Sequence, residues 1–270
     1  MDVERISAPG FEGYVKSEQG GRRENQDYYG WCSTDMGLVV TVCDGMGGGP
    51  AGRTASTIAV DKILDFLKNT EQKEASEDIV LEAIRRANLA VYQKACSAHE
   101  LQGMGSTCTV LLLAENKAFA AYVGDSRIYQ LRGHKKVYRT FDHSMVFELV
   151  KQKVITEEQA RQSAQSNIIT RALGLKDNVE IDITTLHYKK GDRFFLSSDG
   201  IHGAMPEREL LDEVTNTEVP MRTIVEQLAN RVDEIGMKKG GGHDNMTLVL
   251  LESEKTNNGG FWGWLKNLFS

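Results

Sequence analysis

The chain has 270 residues, 40% of them hydrophobic and 26% charged, enough to bury a core without disulfides or structural metals. Its net charge of −6 and the lack of any long basic run argue against nucleic acid as the main partner. Cys32, Cys43, Cys96 and Cys108 form no CxxC pair, the N-terminus has no signal-like apolar stretch, and no apolar run nears the ~20 residues of a membrane span; a soluble, cytoplasmic protein is expected.

In chain order, a strand is predicted over 28–33. A β-branched run, GLVVTVC over 37–43, marks a buried strand that leads into Asp44 and a glycine cluster. Pro50 suits the first turn of a helix reaching to about Leu67. A second helix, capped by Ser76, is predicted over 77–98, with Val80, Ile84, Ala87 and Val91 along one face. Four strand-like runs follow, 106–113, 117–123, 127–131 and 136–140. The breaks between them, at Glu115-Asn116, Gly124-Asp125 and Gly133-His134, are turn-sized, so hairpin-linked antiparallel strands are predicted. Residues 142–175 are polar, with helix in short pieces. Strands over 179–187 and 192–198, a proline-initiated helix, a helix over 221–235 and a last strand over 246–251 complete the pattern. Antiparallel sheets covered by helices, an α+β domain over 1–252, are expected, with a linker and an aromatic tail over 253–270.

Apolar runs meet an aspartate beside a small residue at Asp44 (VCDG), Asp125 (VGDS), Asp199 (SSDG) and Asp244 (GHDN), and Asp27 stands just before the 28–33 strand. An Asp-Gly after a strand is also a favoured hairpin turn, so no single site decides. The set does more. Strands deliver their end residues to one rim of a sheet, and several carboxylates on one rim repel each other unless cations sit between them. Oxygen ligands without a histidine or cysteine set favour Mg²⁺ or Mn²⁺. Two such ions suit phosphoryl displacement, and Arg22 or Arg23, just before Asp27, offers a guanidinium to grip the phosphate. A metal-dependent phosphoesterase follows from the residues alone.

The ordered segments RRENQD, VCDGMGGGPAG, GSTCTV, AYVGDSRIY, FDHS, IITRALG, FLSSDGI and GGHDNMTLVL resemble the type-2C metal-dependent serine/threonine protein phosphatases, bacterial branch, from about Arg22 to Leu250. The resemblance implies a four-layer αββα sandwich, two antiparallel sheets flanked by helices. It further implies that Asp44 bridges two metals, the Gly45 carbonyl joins one, Asp199 and Asp244 hold the other, and Asp125 holds a third, weaker one. Asp27 would contact the cluster directly or through water, and Arg22 would bind phosphate. Hydrolysis would be one-step, by a hydroxide activated between the metals, with no phosphoenzyme. Phosphorylated proteins would be the substrates, a cognate serine/threonine kinase a partner by analogy, and the molecule a monomer.

Two positions depart from the family pattern. Gln26 stands where some members have Glu, and Met46-Gly47-Gly48-Gly49-Pro50 lacks the histidine that protonates the leaving oxygen in many members. A metal-bound water is the expected substitute; loss of a positioned acid typically removes about 10²–10⁴ in rate. The alternative is a catalytically silent phosphatase fold that binds a phosphoprotein or a regulatory partner. A nucleotide-binding phosphate loop, GGGPAGRT over 47–54, fails on Arg53 in place of lysine and on the hairpins that follow. An aspartyl-phosphate enzyme fails on Val42, where a DxD pair needs an acid. In the tail, Phe261, Trp264, Leu265 and Leu268 keep helical spacing, with Trp262 and Phe269 adjoining, and docking on a partner, on the domain or on a membrane is open.

Overall fold

The structure, a computed structural model, describes residues 2–47 and 50–254; the expected linker and tail beyond Glu254 lie outside these. Two six-stranded antiparallel sheets face each other. The first runs in the order β1 (Glu4–Ala8), β2 (Phe11–Glu18), β12 (Met246–Ser253), β11 (Asp192–Ser197), β8 (Arg127–Arg132), β9 (Lys135–Arg139). The second runs β10 (Asp182–Leu186), β7 (Lys117–Val123), β6 (Cys108–Ala114), β4 (Gly37–Met46), β3 (Asp27–Thr34), with the short β5 (Gly105–Ser106) paired to the end of β4.

Helices cover both outer faces. Helices α1 (Pro50–Asn69) and α2 (Glu77–Cys96) pack on the second sheet, and the predicted α2 stripe of Val80, Ile84, Ala87 and Val91 is buried there with Val39, Val110 and Leu112. Ser76 caps α2 by accepting from the Ile79 N–H. The other face carries α5 (Asp199–His202), α6 (Glu207–Val214) and α7 (Met221–Lys238), whose Val225, Leu228 and Val232 lie against Phe195, Leu248 and Leu250 of the first sheet. Between the sheets, Val15, Val40, Leu111, Ile128, Phe194 and Val249 interleave. The alternation of strand side chains sends one set into the middle layer and the other under a helix, which is how sequences this rich in continuous apolar runs build a four-layer αββα sandwich.

Three expectations need revision. The Gly124-Asp125 break is no hairpin: β7 lies in the second sheet and β8 in the first, so the chain crosses the sandwich at that turn. β1 and β2 were not predicted, because Gly13, Lys16 and two glutamates dilute the alternation of Phe11 and Val15, which are nonetheless buried. The 179–187 strand shortens to β10, and α2 stops at Cys96, where Ser97 N–H turns back to the Lys94 carbonyl. Two short helices, α3 (Met145–Lys151) and α4 (Glu157–Arg161), stand in the polar segment over a small core of Val146, Phe147 and Ala160.

Candidate metal centre

All the singled-out acids arrive at one end of the sandwich. Asp27 opens β3 and pairs directly with Asp44 near the end of β4. Asp125 sits on the β7–β8 crossing, Asp199 follows β11, and Asp244 precedes β12, the antiparallel neighbour of β11. Asp44, Gly45, Asp125, Asp199 and Asp244, with Arg22, line one cleft of about 630 Å³; Asp27 lies buried behind Asp44. The glycines after the acids allow close backbone approach. A Cβ on Gly45 would stand 1.9 Å from the Gly52 carbonyl oxygen in the first turn of α1, and one on Gly200 would stand 1.9 Å from the Asn245 carbonyl oxygen.

The cleft gathers like charges out of water. Burial, together with Asp27, Asp199, Asp125 and Asp244, pushes the Asp44 carboxyl well above the usual carboxylate range. Burial and then Asp125, Asp244 and Asp27 do the same to Asp199. Asp27 is pushed up to about 6 by burial, against the hydrogen bond it receives from Ser198, and Asp125 up to about 7 by burial and by Asp142. Two carboxylate oxygens, Asp27 Oδ1 and Asp199 Oδ1, are buried with no hydrogen-bond donor. A buried, unpaired, acceptor-only oxygen fits a hard divalent cation, as does a donor set made of carboxylates and a carbonyl.

Among the described residues, no three acids, histidines or cysteines close around a single point. Asp244 is turned to protein donors. Its Oδ2 accepts from Arg22 Nη2 at 2.7 Å and its Oδ1 from its neighbour Asn245 N–H at 2.9 Å, so both oxygens are engaged at the rim. Arg23 lines the same cleft.

Several residues that hold the acids in place were not singled out from the sequence. Ser198 Oγ donates to Asp27 Oδ2 at 2.7 Å and accepts from Thr247 N–H, tying the first sheet to an acid of the second. Asn245 accepts from Gln26 N–H and donates to the Gln19 and Glu24 carbonyls, which fixes the loop that carries Arg22. Thr107 Oγ1 accepts from Asp44 N–H at 2.9 Å and contacts Ser126 Oγ at 2.7 Å, beside Asp125. Arg53, the residue that spoiled the phosphate-loop pattern, donates to the Asn25 and Asp27 carbonyls and stacks on Tyr28. His143 orders a loop: its Nδ1 accepts from Gly124 N–H and its backbone N–H donates to the Gly124 carbonyl. His202 is buried and held neutral by that burial, with Nδ1 on Ser197 Oγ, while His243 Nε2 faces Asp233 Oδ1.

A family model described as protein phosphatase 2C matches residues 16–240. The chain belongs to the protein phosphatase 2C family. It is 34% identical over 242 residues to the serine/threonine phosphatase Stp of Listeria monocytogenes, covering 88% of this chain and 94% of that one. The structure of the Streptococcus agalactiae serine/threonine phosphatase superposes with a TM-score of 0.81 at 31% identity, over 90% of this chain and 100% of that one. The catalytic domain of the phosphatase PstP, solved with two manganese ions, superposes with a TM-score of 0.74 at 28% identity, over 91% and 99%. The bacterial type-2C resemblance and its sandwich thus hold along most of the chain.

Proposed function

We propose that this protein phosphatase 2C member hydrolyses phosphoserine and phosphothreonine in proteins, with two divalent cations, Mg²⁺ or Mn²⁺, held at the cleft. The observation that carries the proposal is the convergence of buried, mutually repelling carboxylates from both sheets, two of them with orphaned oxygens, beside Arg22 at the rim. Asp44 and the Gly45 carbonyl would hold one ion and Asp44, Asp199 and Asp244 the other, with Asp27 behind them. Asp125 would serve a third. When bound, the pair would lower the pKa of water between them and draw charge from the phosphoryl oxygens.

The chain's own residues do the rest. Arg22 is half exposed at the mouth, where its guanidinium can turn from Asp244 to two phosphate oxygens. Buried strand ends keep the acids from reorganising as charge develops. No histidine lines the cleft among the described residues, so a water would have to supply the leaving oxygen's proton. An aspartyl-phosphate route commonly uses a second acid two residues from the nucleophile, and Val42 stands two residues before Asp44, which favours direct transfer to water without a phosphoenzyme. The silent-module alternative draws on the same absence of a loop histidine; it predicts metal binding without turnover.

Phosphate release from phosphoserine, phosphothreonine and phosphotyrosine peptides, with Mn²⁺, with Mg²⁺ and with chelator, tests the reading. Release from the first two that requires metal, and is lost in Asp44→Asn, supports it. Metal uptake with no release from any peptide favours the silent module.

A further inference from the structure

Cys43 and Cys108 play no part in the chemistry above, yet they stand one residue from it on neighbouring strands. The β4–β6 register pairs Val42 with Thr109, and the β4–β5 register pairs Gly45 with Ser106, so Cys43 lies directly opposite Cys108. Thr107 N–H donates to the Asp44 carbonyl at 2.8 Å, which makes Asp44 and Thr107 a hydrogen-bonded pair. Pairs alternate along an antiparallel ladder, so Cys43 and Cys108 occupy the next, non-hydrogen-bonded position, where opposed Cα atoms are about 4.5 Å apart. Opposed residues point to the same side of a sheet, and both thiols are fully buried in the core under α1 and α2. Cys43, and then burial, push the Cys108 thiol well above its usual range.

Two packed thiols need only be small core residues. This pair has more: a directly opposed, non-hydrogen-bonded register, which sets Cα atoms within the about 4.4–6.8 Å that a disulfide spans, and a shared direction into one core. We infer that Cys43 and Cys108 form a reversible disulfide across β4 and β6, and that closing it weakens metal binding at Asp44. The oxidant is a peroxide. One thiol takes an oxygen from hydrogen peroxide to become a sulfenic acid, releasing one water; the facing thiol attacks that sulfur, forming the S–S bond and releasing the second. Burial makes the first step slow and dependent on local opening.

The link to the cleft is mechanical. Bonded cysteines bring their Cβ atoms to about 3.8 Å, closer than the about 4.5–5.5 Å typical of opposed residues. Closing the bond therefore pulls β4 and β6 together beside Asp44, whose N–H is held by Thr107 Oγ1 and whose carbonyl accepts from Thr107 N–H and Ser106 Oγ. Thr107 also contacts Ser126, next to Asp125, so one cross-link strains the supports of two acids. A bond closed under such strain is readily reduced, as a switch requires. The effect on metal rests on the assignment of Asp44 as a ligand; the disulfide does not.

Cys96 is exposed and Cys32 part-buried, so both react first and are removed as Cys32→Ser and Cys96→Ser in the full chain. This protein is held in hydrogen peroxide for hours, alkylated after denaturation and weighed, and Mn²⁺ binding is measured by calorimetry before oxidation, after it, and after dithiothreitol. Expected are the loss of two hydrogen masses, a Cys43–Cys108 cross-linked peptide, and Mn²⁺ affinity lower by about tenfold or more, the range seen when outer-shell supports of a ligand fail, restored by reduction. Adding Cys108→Ala, or Cys43→Val should that variant not fold, should abolish both the mass change and the affinity change. Two alkylatable thiols after prolonged oxidation overturn the disulfide, whatever the metal does. A disulfide with unchanged Mn²⁺ affinity overturns the coupling. Absence of Mn²⁺ binding before oxidation instead counts against the proposed metal centre and leaves the mass result to decide the bond.

Discussion

The rim of the sandwich and the segment over 142–175 face the same cleft but are built differently. The rim acids sit on the ends of strands whose side chains fill the cores of the sandwich, and Ser198, Thr107 and Asn245 hold the Asp27 carboxylate, the Asp44 N–H and the Gln26 N–H. The other wall, carrying Asn167 and Ile169, rests on a small core of Val146, Phe147 and Ala160, with Phe141, Val150 and Ile155 against it, and leaves Met145, Leu149, Val154 and Ile168 exposed. Groups that must not move during charge development belong on the first kind of support; groups that meet varied partners tolerate the second. The contrast predicts that changes at the rim alter chemistry and changes in the 142–175 segment alter recognition.

The largest effect should come from Asp44→Asn. With Mn²⁺ present, kcat/KM on a phosphothreonine peptide should fall by at least about 10³-fold, beyond the 10–100-fold of an outer-shell loss. Without metal the same variant should melt higher than the parent, because it removes a buried acid that its neighbours oppose. A variant that loses activity and also melts lower would indicate that Asp44 is structural.

Asp142→Ala should be the costliest change where the two regions join. Arg127 on β8 makes two hydrogen bonds to Asp142, at 2.8 and 2.6 Å, and both side chains are buried. Removing the acid strands a buried guanidinium, at about 3–5 kcal/mol, measurable by urea unfolding. A loss below about 1 kcal/mol would mean that the segment is not anchored there.

The pH dependence of the metal-free protein sharpens the contrast from the rim side. Asp27 at about 6 and Asp125 at about 7 hold their protons more tightly than an unfolded aspartate near 3.8. Near pH 4 and below, the folded form keeps these protons at no penalty. As pH rises from the unfolded value through the folded ones the two groups ionise in place and stability falls, by roughly 3 kcal/mol for Asp27 and roughly 4 kcal/mol for Asp125 once pH exceeds about 7. Denaturant midpoints at pH 5 and pH 8 with chelator should show the fall, and saturating Mn²⁺ should cancel it. A flat profile in chelator would remove the case for a strained acid cluster.

The smallest effects should come from Leu149→Ser and Ile168→Ser, which expose no new core. Stability should stay within about 0.5 kcal/mol, and kcat on a small aryl phosphate should not change, while KM for phosphopeptides rises several-fold. Equal effects on both substrates would erase the distinction between the two walls.

What the sequence could and could not convey follows the same division. The strand-to-acid junctions at Asp44, Asp199 and Asp244 were visible because each combines an apolar run with glycine or another small residue, a local signal. The crossing at Gly124-Asp125 looked like a hairpin because a turn-sized break is the same length whether the next strand joins the same sheet or the opposite one. The roles of Ser198 and Asn245 were hidden for another reason: their partners, Asp27 and Gln26, lie 171 and 219 residues away along the chain. A hydroxyl or an amide carries no mark of so distant a partner.

The claim on which the rest depends is that five aspartates at strand ends hold divalent ions together. Titration calorimetry of Mn²⁺ into the metal-stripped chain tests it directly. At least two ions per chain, with Asp44→Asn weakening both and Asp199→Asn chiefly one, is the expected result; no binding, or a binding curve unaltered by either substitution, would contradict it.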